Sequence, residues 1–322
     1  MTLPSLSRRR FTAALAVLPL ALGALGALGA CGTSATPAAA GNGAQTRTVK
    51  TAFGDVTVPA APKRVIALGD TVLDSALVLG VTPVGTLSSR GGNTVSTYLA
   101  DKAGSVPIVG TVRETNLEAV VTAKPDLILA AAGTAQAQYD ALKAIAPTVV
   151  AATTGSGDWE SETRTVAAAL GQKDRGDQLL ADIDKRAKDI AARRAGTGTA
   201  AIVRWMPTGP LIMSSSLMAG RLVQLAGDKL PAAANFTDKP HTDPLSLENL
   251  SQVDADFIYV ATLNADGEKA LAAAMAQPAF ARLRAAGSGK VATVDGGVWS
   301  SAAGPIAAGK VLDDIERLRR AG

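Results

Sequence analysis

Residues Asn116-Leu117-Glu118-Ala119-Val120-Val121-Thr122-Ala123-Lys124-Pro125-Asp126-Leu127-Ile128-Leu129 run parallel to Ser246-Leu247-Glu248-Asn249-Leu250-Ser251-Gln252-Val253-Asp254-Ala255-Asp256-Phe257-Ile258-Tyr259. In both stretches Leu-Glu opens a short helix, and an Asp precedes a continuous apolar run that reads as a buried strand. One phrase in each half of the chain indicates two similar α/β lobes.

The flanking sequence carries the same alternation. Pro62-Lys63-Arg64-Val65-Ile66-Ala67-Leu68-Gly69 predicts a buried strand ending in a glycine turn, and Thr71 to Leu79 a helix closed by Gly80. Ile108-Val109-Gly110 and Thr148-Val149-Val150 read as further strands, with Ala137 to Ile145 as a helix between them. Thr48 to Ala52 and Val56 to Val58 form a short hairpin upstream. In the second half Ala201-Ile202-Val203-Arg204, Phe257-Ile258-Tyr259-Val260 and Val291-Ala292-Thr293-Val294 are strands. Pro305 to Arg320 is a terminal helix. Strands alternating with helices predict mostly parallel sheets covered on both faces. Between the halves, Trp159 to Arg194 is a long helical region with a stripe of Leu179, Leu180, Ile183, Ala187 and Ile190. The fold class is therefore α/β, with two lobes joined by one long helix and a cleft between them, the usual place for a small ligand.

The first thirty residues stand apart. Arg8-Arg9-Arg10 precede an uncharged apolar stretch from Phe11 to Ala30, and Leu28-Gly29-Ala30-Cys31 closes it. A basic start, an apolar core and a small-residue cleavage point make an export signal. The adjacent arginines resemble a twin-arginine signal. The stretch is also long enough to span a bilayer, but Pro19 and the glycines at 23, 26 and 29 weaken a spanning helix. Leu-Gly-Ala-Cys resembles the lipobox of bacterial lipoproteins, which implies cleavage before Cys31 and lipidation of its sulfur. Cys31 is the only cysteine, so an intramolecular disulfide and a thiolate metal cluster are both excluded. The expected organisation is 1–30 export signal, 31–45 lipid-anchored tether, 46–172 N-terminal lobe, 173–196 linker helix, and 197–322 C-terminal lobe with its terminal helix.

The chain has 32 Lys and Arg against 28 Asp and Glu. Removing the three leader arginines from 32 leaves 29 basic against 28 acidic residues. That balance removes the electrostatic motive for nucleic-acid binding.

In order and spacing these phrases resemble the periplasmic-binding-protein family that serves iron-siderophore, haem and cobalamin importers. The matching stretches are Pro62 to Leu68, Val109-Gly110 with Asn116-Leu117-Glu118, Lys124-Pro125-Asp126-Leu127-Ile128, Ile145-Ala146-Pro147-Thr148, Leu245-Ser246-Leu247-Glu248 and Asp256-Phe257-Ile258-Tyr259. The resemblance covers about residues 47 to 320. Within the family, Val203-Arg204-Trp205-Met206-Pro207 and Val298-Trp299 followed by Gly304-Pro305 look most like the iron-siderophore branch. The resemblance implies a class III architecture with small lobe motion. It also implies a non-enzymatic monomeric receptor on the outer face of the cytoplasmic membrane, with no cofactor. Such a receptor passes its ligand to an ABC permease dimer with its ATPase.

Glu118 and Glu248 match the family's lobe-tip glutamates, which meet arginines on the permease; a glutamate near a helix start also complements the helix dipole. Arg90, Arg113 and Arg204 fall at or after strand ends, where loops of α/β sheets line the ligand crevice. An arginine there can grip carboxylate, catecholate or hydroxamate oxygens; surface solvation is the plainer alternative. Trp205 and Trp299 are candidates for a flat ligand wall, with core packing as the other reading. The single histidine, His241, cannot build the several-His shell of a bare zinc or manganese receptor, so no protein-held metal is expected. Haem stays open through Tyr98, Tyr139 or Tyr259, as does cobalamin. A surface hydrolase built from Ser214-Ser215-Ser216 and His241 is the alternative of another class, although no Gly-x-Ser-x-Gly elbow is present.

Overall fold

The computed structural model describes residues 45–320 apart from 91, 156 and 195. The expected export signal and the expected lipidation site, Cys31, lie outside the described residues. No helix among the described residues is long and apolar enough to cross a membrane.

An antiparallel hairpin of β1 (Thr46–Thr51) and β2 (Gly54–Pro59) leads into the first lobe. There β3 (Val65–Leu68), α1 (Asp70–Val78), β4 (Gly85–Ser88), α2 (Ala100–Ala103), β5 (Ile108–Thr111), α3 (Leu117–Thr122), β6 (Leu127–Ala130), α4 (Gln136–Lys143) and β7 (Thr148–Val150) follow in turn. The strands form one parallel sheet in the order β5-β4-β3-β6-β7. Two helices come next, α5 (Trp159–Ala169) and α6 (Lys173–Ala192). The long helical region expected over Trp159 to Arg194 is thus broken. Gly171, at φ 74°, supplies the left-handed turn at the break. The second lobe contains β8 (Ala200–Met206), β9 (Gly209–Ile212), α7 (Met218–Leu225), β10 (Phe257–Thr262), α8 (Ala265–Met275), α9 (Pro278–Ala281), α10 (Arg284–Gly287), β11 (Val291–Asp295), α11 (Gly296–Ser300) and α12 (Pro305–Arg320). Its sheet order is β11-β10-β8-β9, parallel except for β9, which folds back on β8 as a hairpin.

Strand periodicity separates two kinds of core. Ile66 and Leu68 of β3 face an outer layer with Val120 and Leu142, while Val65 and Ala67 face inward. In the second lobe Ala201, Val203 and Trp205 of β8 face an outer layer with Leu271 and Phe280, while Ala200 and Ile202 face inward. The inner faces share one continuous core, running from Val65 and Leu73 through Val166, Leu180 and Leu222 to Tyr259, Val311 and Leu312. Helices α1, α5, α6, α7 and α12 form this middle layer. A close-packed, shared interior resists relative displacement of the lobes, since any opening would expose apolar surface.

Candidate ligand cleft and docking face

The parallel strands end together, and their carboxyl ends carry the polar groups of the cleft. After β3 the chain must turn sharply into α1. Gly69 makes that turn at φ 142°, and a Cβ there would stand 2.9 Å from the Cβ of Ala131. The turn delivers Asp70 to the first turn of α1, where its carboxylate accepts a hydrogen bond from Ser96 Oγ at 2.7 Å. Burial pushes the Asp70 carboxyl above the usual range, opposed by the Ser96 hydrogen bond and by the positive charge of Arg90.

Arg90 is exposed in the turn after β4. Arg204 comes from the other lobe. It lies within β8, two residues before the strand's end, rather than in the following loop. By strand alternation it shares the inward face of Ala200 and Ile202. Its Nε donates to Ser300 Oγ at 2.9 Å, and its Nη2 donates to the Ser300 carbonyl oxygen and to Ser301 Oγ at 3.3 Å. Burial lowers the Arg204 pKa, and the like charge of Arg90 lowers it further. Two guanidiniums from opposite lobes therefore share one field, and Asp70 is the acid placed against Arg90. Arg113 is exposed in the turn after β5, its amide bonded to Thr111 Oγ1 at 3.3 Å. That turn follows the edge strand of the first sheet.

The tryptophans are placed differently from the ligand wall that their neighbours suggest. Trp205 is 3% exposed and packs edge-on against Phe280 at 5.9 Å in the outer core. The reason is the strand period: Trp205 and Arg204 are adjacent on β8 and point to opposite faces. Trp299 is 2% exposed, stacks on Tyr259 at 4.4 Å, and donates its Nε1–H to Asp314 at 2.9 Å. Both are core residues here. Tyr98 and Tyr139 are also buried, the latter stacked on Phe53 at 4.0 Å.

Sequence reading missed Asp70, Ser96, Ser300 and Ser301, which complete the polar floor. Their short side chains carry no periodic signal, and only the convergence of strand ends brings them together. It also missed Asp74, whose sole trace is an acid amid the apolar positions of α1. Among the described residues no group of three or more His, Cys, Asp or Glu could hold a metal ion. Ser214 donates its hydroxyl to the Phe236 carbonyl, and His241 Nδ1 lies 2.8 Å from the Thr242 carbonyl oxygen. The two side chains are not hydrogen-bonded to each other.

Glu118 and Glu248 occupy matching positions. Glu118 is in the first turn of α3, where Asn116 Oδ1 accepts from the Ala119 amide at 3.0 Å. Glu248 is in the first turn of a 3-10 helix spanning Leu247–Val253. Both are exposed, and among the described residues neither has an ion-pair partner within the chain.

A groove of about 780 Å³ opens at the other end of the second lobe, lined by Arg193, Gly198, Asp256, Lys290 and Arg317 among others. It sits at the amino ends of the strands, and its arginines are matched internally. Arg193 pairs with Glu316 at 2.5 Å, while Arg194 and Arg319 each pair with Asp228 at 2.6 Å. It offers less unpaired charge than the Arg90–Arg204 cleft.

Comparison with known proteins agrees with this architecture. Residues 65–297 match the family described as periplasmic binding protein. The probable siderophore-binding lipoprotein YfiY of Bacillus subtilis is 33% identical over 285 residues, covering 85% of this chain and 87% of that one. The achromobactin-binding periplasmic protein of Dickeya dadantii is 28% identical over 271 residues, covering 80% and 86%. Among solved structures, Staphylococcus aureus SirA complexed with staphyloferrin B has a TM-score of 0.74 at 25% identity, covering 85% of this chain and 98% of that chain. With the family match spanning both lobes and the cleft between them, the chain belongs to the periplasmic binding protein family.

Proposed function

We propose that this protein is the extracytoplasmic receptor of an ABC importer, and that it captures a ferric siderophore in the cleft between its lobes. The observation that carries the reading is that Arg90 of the first lobe and the half-buried Arg204 of the second lobe act on each other's charge at the carboxyl ends of the strands, beside the Asp70–Ser96 and Arg204–Ser300 hydrogen bonds. Two cations held in one field, one of them half-buried, favour an anionic ligand that relieves their repulsion. Ferric siderophores with carboxylate, catecholate or hydroxamate oxygens present such a surface, and Arg113, exposed in the turn after the edge strand, would reach a ligand that protrudes. In this reading iron is cargo, satisfied by its chelator, and the protein reads the chelator's outer face. The names of the Bacillus and Dickeya relatives and the staphyloferrin B complex support the ligand class. Export, lipidation at Cys31, a monomeric state and docking of Glu118 and Glu248 on a permease belong to the same proposal.

The test is a titration of the purified chain, starting near residue 41, with ferric siderophores of hydroxamate, catecholate and citrate type. Haem, cobalamin, iron-free chelators and bare metal ions serve as controls. The expected result is saturable binding of one ferric class with Kd near or below ~1 μM, roughly −8 kcal/mol. Preference for haem or cobalamin would overturn the ligand and keep the importer role. Silence across the panel from folded protein would overturn the receptor reading.

A further inference from the structure

The surface around Glu118 is unlike that around Glu248. Large apolar side chains left exposed among the described residues are few, and four of them fall in the segment that carries Glu118: Ile108, Val112, Leu117 and Val121, each 39–54% exposed. Ile108 and Val112 come from the edge strand β5 and the turn after it. Leu117 and Val121 are one helical turn apart on α3, so they share its outer face. Glu118 follows Leu117 in the first turn of the same helix and shares a groove wall with Ile108. A groove of about 540 Å³ is lined by Ile108, Val109, Ala119, Thr122 and Ala123, with Glu118 and Arg64 on its wall; the Arg64 guanidinium donates to the Ala123 and Lys124 carbonyl oxygens and forms no ion pair with Glu118 among the described residues. The matching position in the second lobe has a single exposed leucine, Leu247, beside Glu248.

Clustered exposed apolar residues rimmed by polar ones mark an interaction surface. The exposed carboxylate of Glu118, which has no ion-pair partner among the described residues, sets the chemistry of what covers that surface. The occupant must bring a cation for Glu118, because a buried unpaired carboxylate is costly, and apolar side chains for the surround. The geometry points to an apolar socket on the first lobe that seats a bulky aliphatic or aromatic side chain of the permease, next to the cation that pairs with Glu118. The second lobe carries mainly the electrostatic half of the contact. The two lobes therefore dock unequally: the first by a contact that survives salt, the second by one that salt screens. This inference rests on the docking role proposed for the two glutamates.

The test uses cysteine variants of the full chain carrying a benzophenone maleimide, irradiated with membrane vesicles from the producing organism. Cys31 is blocked by its lipid, or reacts equally in all variants. Val121→Cys probes the socket and Leu247→Cys the other lobe tip. Asp55→Cys, in the hairpin at the opposite edge of the first sheet, is the control. The expected result is a cross-link from Val121→Cys to an integral-membrane subunit of an ABC permease, identified by mass spectrometry. In addition, Leu117→Ser/Val121→Ser should weaken vesicle binding at high salt about tenfold, the loss of roughly one buried aliphatic contact. If Leu247→Cys labels the permease and Val121→Cys labels no more than the control, the socket is overturned and the docking reading stands. If neither tip labels it, both fall. A cross-link from Val121→Cys to a second copy of this chain would make the patch a self-association surface and overturn the proposal.

Discussion

The carboxylate of Asp74 accepts a hydrogen bond from the amide of Ile306 at 2.8 Å, joining the first helix of one lobe to the last helix of the other. The Ala307 amide donates to the same carboxylate at 3.0 Å. The first amides of a helix have no partner within it, and here the cap comes from 232 residues away. Pro305 needs no partner at the first helical position. Gly304 leaves room for the carboxylate: a Cβ there would stand 2.5 Å from Asp74 Cγ, on a backbone already at φ 134°.

This cap is buried, and its charge state depends on pH. Burial pushes the Asp74 carboxyl up to about 7, against the two amide hydrogen bonds that favour the anion. Asp70 raises it further, and the buried Tyr98 hydroxyl lies close by without a well-aligned hydrogen bond. A folded pKa above the unfolded value means that the native state holds the extra proton between about pH 4 and pH 7. The contribution is thus fully present below about pH 4 and is lost as pH rises through 7. Asp74→Asn should flatten the dependence of the melting temperature between pH 5 and pH 8. Asp74→Ala should lower it at every pH, because two buried amides lose their acceptor, at about 1–3 kcal/mol each. A slope unchanged in Asp74→Asn would assign the pH dependence to another group.

The other end of α12 is pinned by charge. Asp228 has a side chain that is 1% exposed, and it pairs with Arg194 after α6 and Arg319 in α12. Arg319 also covers the Phe257 ring at 4.5 Å. Asp228→Ala leaves two mostly buried guanidiniums without their anion. The expected cost is about 3 kcal/mol or more, measured by denaturant unfolding. Ligand affinity should hold, because the cluster is far from the carboxyl ends of the strands. A loss below about 0.5 kcal/mol, the size of a surface substitution, would mean that water replaces the carboxylate.

The arginines and tryptophans should separate by assay. Arg204→Ala and Arg90→Ala are each expected to weaken ferric siderophore binding about tenfold or more, the size of a hydrogen bond to a charged group, with small effects on stability. Arg113→Ala, at an exposed side chain, should cost less. Trp205→Phe and Trp299→Phe should do the reverse: affinity retained, stability lowered by roughly 1–3 kcal/mol through cavities and, for Trp299, loss of the Asp314 hydrogen bond. Affinity lost with Trp299→Phe at unchanged stability would return that ring to the cleft.

The lobes were legible because their signal is periodic and local. The apolar runs at 65–68, 127–130 and 257–262 are strands, and Leu117 and Leu247 open helical turns as their Leu-Glu phrases suggest. The hairpin β8–β9 was not anticipated, since four residues around Pro210 give too short a pattern to read. The tryptophans illustrate a different limit. Proximity in sequence to Arg204 placed Trp205 near the cleft, but on a strand the next residue points the other way. Asp74, Ser96 and Ser300 were illegible because each owes its place to contacts between segments remote in the chain.

Docking should be separable from capture. Glu118 and Glu248 are exposed and make no ion pair within the described chain, so replacing them removes no contact on which the fold depends. Glu118→Gln/Glu248→Gln should bind ferric siderophore as the parent does and melt within about 1 °C of it, in keeping with the small effects of most surface substitutions. Ligand-stimulated ATP hydrolysis by the permease in proteoliposomes should fall, most at low salt, where the charges are least screened. The salt series then distinguishes the two tips. Glu248→Gln alone should mimic the effect of added salt, because its surround contributes one leucine. Glu118→Gln alone should leave residual stimulation that persists as salt rises, carried by Ile108, Leu117 and Val121. Equal and fully salt-sensitive losses at both positions would mean that the two lobes dock alike.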